Sequence, residues 1–102
     1  MKPSPGSPCS EAALRRQRWE RIGLGIRLAY NTARPEVLRC WLGLGTRLVG
    51  DGVLDEAAML RRSLRLLLQT AQDEALPWFW RSVCLEHTAR PLARATTLLR
   101  LH

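Results

Sequence analysis

The sequence predicts an all-α protein, an antiparallel array of four to five helices in a single domain. Apolar residues recur at spacings of three and four, as on one face of a helix, and no segment alternates as a half-buried strand does. The breaks are short, so successive helices should be antiparallel neighbours. The 102 residues are 46% hydrophobic, which is typical of one small globular domain rather than a disordered chain.

Each predicted helix has a recognisable start. Residues 1–9 predict a disordered, proline-rich arm, and a single helical domain follows over residues 10–102. Ser10 is a good N-cap, Pro35 suits the first position of the second helix, and Pro91 opens the fifth. The predicted helices cover residues 10–30, 35–49, 55–70, about 72–88 and 91–102.

The third predicted helix is apolar over much of its circumference, with Arg61, Arg62 and Arg65 lying away from the apolar stripe. A helix of this kind is sandwiched between two neighbours or covered by a partner. Its stripe consists of Val53, Leu54, Ala57, Leu60, Leu64, Leu67 and Leu68.

A pattern of tryptophan, leucine, glycine and alanine over residues 38–71 has the spacing of a repeat of about 34 residues. It resembles the tetratricopeptide repeat, a helix hairpin that stacks on further hairpins. The resemblance implies that Gly45 allows a close helix crossing, that Gly52 turns the chain, and that Ala57 faces Gly45. An ordinary hairpin with glycines at a close crossing fits the same residues. The pattern consists of Trp41, Leu44, Gly45, Leu48, Gly52 and Ala57.

Two internal echoes suggest that the rest of the chain holds degenerate repeats, although they imply different registers. Residues 11–16 resemble residues 56–62 in their acidic, alanine-rich and then basic order. Residues 19–26, Trp-x-x-Ile-Gly-x-x-Ile, resemble residues 41–48, Trp-x-x-Leu-Gly-x-x-Leu. One repeat does not bury both of its faces, so further repeats or caps are expected.

A narrower resemblance concerns a hairpin over Gly52–Ala57, followed by Pro77-Trp78 and then by Cys84 and Glu86. This arrangement is similar to the small tetratricopeptide-like chaperones of type III secretion needle subunits. The resemblance implies a cytoplasmic virulence chaperone. Such a protein binds an aggregation-prone helical needle subunit, together with a second small co-chaperone, and stops premature polymerisation.

The tetratricopeptide resemblance also implies a partner-binding groove on the second helix. Its groove positions are Arg39, Leu42, Thr46, Val49 and Gly50. Of these, Leu42 and Val49 would meet the apolar face of a small amphipathic helical partner, and Arg39 and Arg47 would pair with acidic residues at the rim. For each of these residues, core packing or solvated charge is the alternative interpretation.

The richest aromatic cluster is Pro77-Trp78-Phe79-Trp80. Successive helical residues differ by about 100°, so Trp78 and Trp80 do not both face the same core. One of the three aromatic side chains is therefore expected to be exposed or at an interface, and tryptophan often dominates binding energy at interfaces. Both tryptophans are candidate partner-binding residues, with plain packing as the alternative.

The sequence lacks the motifs of a catalytic site. It has no glycine-rich phosphate loop, no paired-cysteine metal site and no nucleophile elbow. Cys84 and His87 lie one helical turn apart, but a nucleophile pair also needs an orienting group and an oxyanion site. We therefore expect no enzyme activity, no cofactor and no metal.

The net charge of +7 makes nucleic acid the rival partner. The second and third helices would then form a helix-turn-helix in which Arg61, Arg62 and Arg65 face phosphate or bases. The apolar surface of the third helix argues against this reading. An odd number of cysteines, no secretory signal and no apolar run of membrane length favour a cytoplasmic protein.

Overall fold

The computed structural model describes the backbone of residues 8–101 and the side chains of residues 11–100, and over this range the chain is all-α, as predicted. Residues 1–7 of the predicted arm lie outside the described residues, while Pro8 and Cys9 already belong to the first helix. The helices of the described range are α1 (Pro8–Arg27), α2 (Glu36–Gly50), α3 (Glu56–Gln72), α4 (Trp78–Glu86) and α5 (Ala89–Leu101).

The starts of the helices differ from those predicted by a few residues. Ser10 lies inside α1 and is not its N-cap. Pro35 and Pro77 each immediately precede a helix and so occupy the cap position. At the start of α3, the carboxylate of Asp55 accepts a hydrogen bond from the N–H of Ala58, which satisfies one of the free donors of the first turn.

The helix α1 ends at Arg27 rather than at the predicted Tyr30, because Ala29 adopts a left-handed conformation with φ 52°. The N–H of Tyr30 donates to the carbonyl of Gly25 at 2.9 Å, and the N–H of Ala29 donates to Ile26 at 3.1 Å. These two bonds form the Schellman pattern, which usually requires glycine at the left-handed position.

The same pattern closes α2, here with the predicted glycine. Gly52 has φ 75°, and the N–H of Val53 donates to the carbonyl of Leu48 at 2.9 Å. The left-handed residue turns the chain back at once, so α3 packs beside α2. Gly52 therefore lies at the turn of this hairpin, where the sequence predicts a turn residue.

The central helix is α3, which packs against α1, α2, α4 and α5. Ion pairs join Glu20 to Arg62 and Arg27 to Asp73, so α1 and α3 run in the same direction. The helix α5 also packs on α3, and its Arg94 bonds Glu56 at the start of α3.

A reciprocal pair of tryptophans joins α1 to α2. The indole N–H of Trp19 donates to the carbonyl of Trp41 at 3.1 Å, and the indole N–H of Trp41 donates to the carbonyl of Trp19 at 3.0 Å. The two rings are stacked, with centroids 5.2 Å apart and planes 10° apart. Both rings are buried and both of their donors are satisfied.

Each tryptophan occupies the space that a glycine leaves on the other helix. A Cβ atom on Gly45 would lie 2.9 Å from the Trp19 indole nitrogen, and one on Gly23 would lie 3.0 Å from the Trp41 ring. The prediction that Ala57 faces Gly45 is wrong, because Ala57 is exposed. The close crossing of Gly45 is with α1, and α3 contributes Met59. The echo between residues 19–26 and 41–48 is therefore a packing motif shared by two paired helices.

The remaining pattern residues of α2 also turn inward. Leu48 is buried and Leu44 is half-buried against the same core. From the far side, Trp80 of α4 enters this core and its indole N–H donates to the carbonyl of Ile26 at 2.9 Å. The buried apolar residues are Trp19, Ile26, Leu38, Trp41, Leu48, Met59, Leu60, Leu67, Trp80 and Cys84.

The partly exposed ion pair between Arg27 and Asp73, 2.7 Å long, makes stability depend on pH. The hydrogen bond from Arg27, followed by that from the N–H of Ala75, lowers the pKa of Asp73 below its ordinary value of 3.8. The stabilisation is therefore fully present above that ordinary pKa and is lost as the pH falls through the lowered pKa of the folded state.

We expect Asp73→Asn to lower the midpoint of urea unfolding at neutral pH, and the difference from the natural chain to shrink as the solution is acidified below the ordinary carboxyl pKa. The matched control is Glu74→Gln, at an exposed neighbouring carboxyl without an ion pair among residues 11–100. A difference for Asp73→Asn that is constant with pH would rule out the ion pair as its source.

Candidate partner-binding groove

A groove of about 890 Å³ opens between α2 and the corner where α4 meets α5. One wall is the face of α2 that carries Arg39, Leu42 and Thr46. The floor comes from α3, where Met59 and Leu60 close the groove from below. The groove exists because α4 and α5 pack on α3 and not along α2, so a gap is left above the central helix.

The opposite wall is formed by the end of α4 and the first turns of α5. At this corner, the ring nitrogen Nδ1 of His87 lies 2.8 Å from the carbonyl of Val83 in α4. Pro91 is buried in this wall, and Arg90 is exposed beside it. Arg94 and Glu56 both line the groove, and the guanidinium of Arg94 donates two hydrogen bonds to the carboxylate of Glu56, of 2.8 and 3.3 Å.

The structure brings together three of the five residues that the sequence places in a groove. Leu42 is half-buried at the edge of the floor, and Arg39 and Thr46 are exposed on either side of it along α2. Val49, in contrast, packs against the core and lies outside the groove lining. The groove assignment of Val49 is therefore wrong, because this half-buried side chain packs against the core. Gly50 also lies outside the groove lining.

The two candidate tryptophans of α4 differ in solvent exposure. Trp80 is 1% exposed and its only polar atom bonds Ile26, so its assignment to partner binding is wrong. Trp78 is 74% exposed, and Phe79 and Leu85 are exposed on the same short helix. Among the described helices, α4 packs principally on α3, which leaves this aromatic patch without a cover.

A second, smaller cavity of about 280 Å³ lies between α1 and α3. Two of the three arginines that line it are engaged, because Arg62 pairs with Glu20 at 2.9 Å and Arg27 pairs with Asp73. The guanidinium of Arg62 also lies 5.9 Å from the centroid of the Trp19 ring. This cavity is therefore part of the seam that joins α1 to α3.

The neighbours Cys84 and His87 do not form an activated pair. Burial raises the pKa of the Cys84 thiol to about 11, so the thiol remains protonated at neutral pH. His87 directs Nδ1 at its own helix instead. Within residues 11–100, no group of three or more His, Cys, Asp and Glu side chains is placed to hold a metal ion.

The sequence predicts one wall of the groove and not the other. The lining residues that the sequence analysis does not assign to the groove are Gly43, Glu56, Met59, Leu60, Glu86, His87, Ala89, Arg90, Pro91 and Arg94. The sequence predicts Pro91 only as the start of a helix, whereas α5 begins at Ala89 and Pro91 lies in its first turn. No pattern of residue spacing within one segment predicts that α5 lies opposite α2. The two helices are brought together only because both pack on α3.

Over the described residues 8–101, no helix is both long and apolar enough to cross a membrane. No protein-family model, no curated protein and no solved structure matches the chain.

Proposed function

We propose that the chain is a small, non-catalytic protein-binding module that holds an amphipathic helix of its partner in the groove between α2 and α5. The observation that carries this proposal is the open groove itself, which has an apolar floor and polar rims in a chain of this size. Amphipathic helices bind in this way, with one apolar face laid into a hydrophobic groove.

A chaperone role, with action in the cytoplasm on a secretion substrate, is the finer form of the proposal. It is supported by the apolar surface that the fold leaves open, above all Trp78, Phe79 and Leu85 on α4. Exposed apolar patches of this kind mark interaction sites. A partner, alone or with a second co-chaperone, would cover them and stabilise a thin core by mass action. The resemblance to needle-subunit chaperones supports the same role.

Nucleic-acid binding is the second candidate, favoured by the net charge of +7 and by exposed arginines on α3. The position of α3 weakens it, because a helix that contacts α1, α2, α4 and α5 offers little surface to a DNA groove. Arg62 is also engaged by Glu20. The two candidates differ in salt dependence, since phosphate contacts release counterions and weaken steeply as salt rises.

We expect Leu42→Asp to abolish partner binding, because it places a charge at the edge of the apolar floor. The test is a tagged pull-down from native cell extract, with and without nuclease and high salt, comparing the natural chain with the variant. The matched control is Leu99→Asp, an equal change on α5 at a leucine that is 78% exposed and outside the groove lining. Circular dichroism of both variants verifies that the helices persist.

A helical protein that resists nuclease and salt, and that only Leu42→Asp releases, would support the proposal. Capture that is equal for both variants would contradict the groove as the binding site. Recovery of nucleic acid and its associated proteins alone, lost with nuclease and salt, would replace the proposal with the second candidate.

A further inference from the structure

We infer that the helix bound in the groove is acidic, with an apolar stripe flanked on both sides by aspartate or glutamate. This inference rests on the proposed function and adds to it the chemistry of the partner. It is carried by two arginines, Arg39 on the α2 wall and Arg90 on the α5 wall, which stand on opposite rims of the groove.

Both arginines are exposed, and neither lies within 4.0 Å of a carboxylate among residues 11–100. They differ in this from the arginines that join the helices, such as Arg94, which is held by Glu56. A guanidinium presents its donors in a planar fork that matches a carboxylate at two points. Arg39 and Arg90 are therefore free to receive such groups from a partner.

The charges along the groove agree with this assignment. Glu56 is neutralised by its two-point bond to Arg94, and that bond holds the pKa of Arg94 above its ordinary value. Among the charged groups that line the groove, this leaves Arg39 and Arg90 against Glu86. A partner with basic flanks would meet two like charges, whereas acidic flanks would meet one.

The apolar floor of the groove favours an acidic amphipathic helix over a polyphosphate as its occupant. Leu42 is the partly exposed apolar side chain along the groove, and the buried Met59 and Leu60 close its floor with apolar atoms. A nucleic-acid backbone makes no use of such a lining. Gly43, on the same wall, would meet nothing within 4 Å if it carried a Cβ atom, so the wall has room beside Leu42 for an apolar side chain. An apolar stripe between two acidic flanks fits all three surfaces.

The test is selection from a phage-displayed library of helical peptides of about 18 residues, or five turns. The library carries a fixed leucine stripe, and each flanking position is varied among glutamate, glutamine and lysine. The full chain is the bait, and every recovered clone is tested against Leu42→Asp to identify those that use the groove. Selected peptides are then synthesised and titrated by fluorescence anisotropy.

We expect glutamate to be enriched over lysine at flanking positions on both sides of the stripe. The double variant Arg39→Glu, Arg90→Glu should weaken a selected peptide by about tenfold or more and should itself select lysine. The control is Arg47→Glu with Arg100→Glu, which makes the same charge change on α2 and α5 outside the groove lining. The control should leave peptide affinity nearly unchanged.

Clones that depend on Leu42 but show no preference for glutamate would overturn the acidic partner and leave the protein-binding groove standing. An equal loss of affinity in the control pair would also overturn it, because the effect would then be one of net charge. A library that yields no clone dependent on Leu42 would overturn both the inference and the proposed function.

Discussion

Replacing Trp41 with alanine is expected to lower the free energy of unfolding by about 3–5 kcal/mol, which is a large share of the stability of a domain of this size. The change removes a buried ring that stacks on Trp19, and it removes one of the two hydrogen bonds that cross between α1 and α2. It also leaves a cavity against Gly23, whose missing side chain made room for the ring. Urea denaturation followed by far-ultraviolet circular dichroism measures the effect.

The matched control is Trp78→Ala, because Trp78 is the exposed tryptophan and its removal should change stability by no more than about 0.5 kcal/mol. If Trp41→Ala fails to fold, Trp41→Phe should fold with an intermediate loss, since it keeps an aromatic ring but lacks the indole N–H. Equal losses for Trp41→Ala and Trp78→Ala would contradict the central place of the paired tryptophans.

Replacing Gly45 with leucine is expected to cost about 1–3 kcal/mol through overpacking. The first side-chain atom would already lie 2.9 Å from the Trp19 indole nitrogen and 3.3 Å from the Cγ atom of Met59. The indole is buried and hydrogen-bonded to Trp41, so it has little freedom to move aside.

Gly43→Leu, two residues earlier on the same helix, separates packing from helix propensity. Gly43 is exposed and has open space where a Cβ atom would be, so leucine should stabilise the chain there by up to about 1 kcal/mol. Thermal and urea unfolding of the two variants should therefore give effects of opposite sign. A stabilising Gly45→Leu would contradict the close crossing of α1 and α2.

The fold class and the breaks between helices could be predicted from the sequence because both depend on local patterns. Apolar spacing gives the helices, and a glycine in the left-handed region gives the turn at Gly52. The end of α1 could not be placed in this way. There the left-handed residue is Ala29, a residue type that carries no such signal, and the hydrogen bonds to Gly25 and Ile26 hold it in place.

The partners of the helices were less predictable than their existence. Gly45 indicates that some helix comes close, but nothing in its neighbourhood says which one, and the repeat pattern pointed to Ala57 instead of Trp19. The repeated Trp-x-x-x-Gly spacing at residues 19–23 and 41–45 was the relevant signal. Its meaning depends on two helices meeting with opposite directions, which is a property of the assembled pair.

The candidate site was half predictable for the same reason. Arg39, Leu42 and Thr46 share one face of α2 at helical spacing, so a single segment of sequence contains that wall. The far wall belongs to α5, and only packing on α3 brings it opposite. Similarly, geometry excluded a common face for Trp78 and Trp80, but the carbonyl of Ile26 determines which of them is buried.

The paired Trp-x-x-x-Gly segments form, within one chain, the kind of self-complementary contact that two-fold dimers make between identical subunits. Each helix contributes one tryptophan ring and one glycine over which the other ring packs. The α1 helix of one molecule would therefore make the same contacts with α2 of a second molecule. Exchange of α1 would preserve these contacts, and only the connection over residues 28–35 would have to open. The shape of the contact does not distinguish the two cases, so the hairpin stays within one molecule because α1 and α2 are close along the chain. At high protein concentration, exchange of α1 would give intertwined dimers.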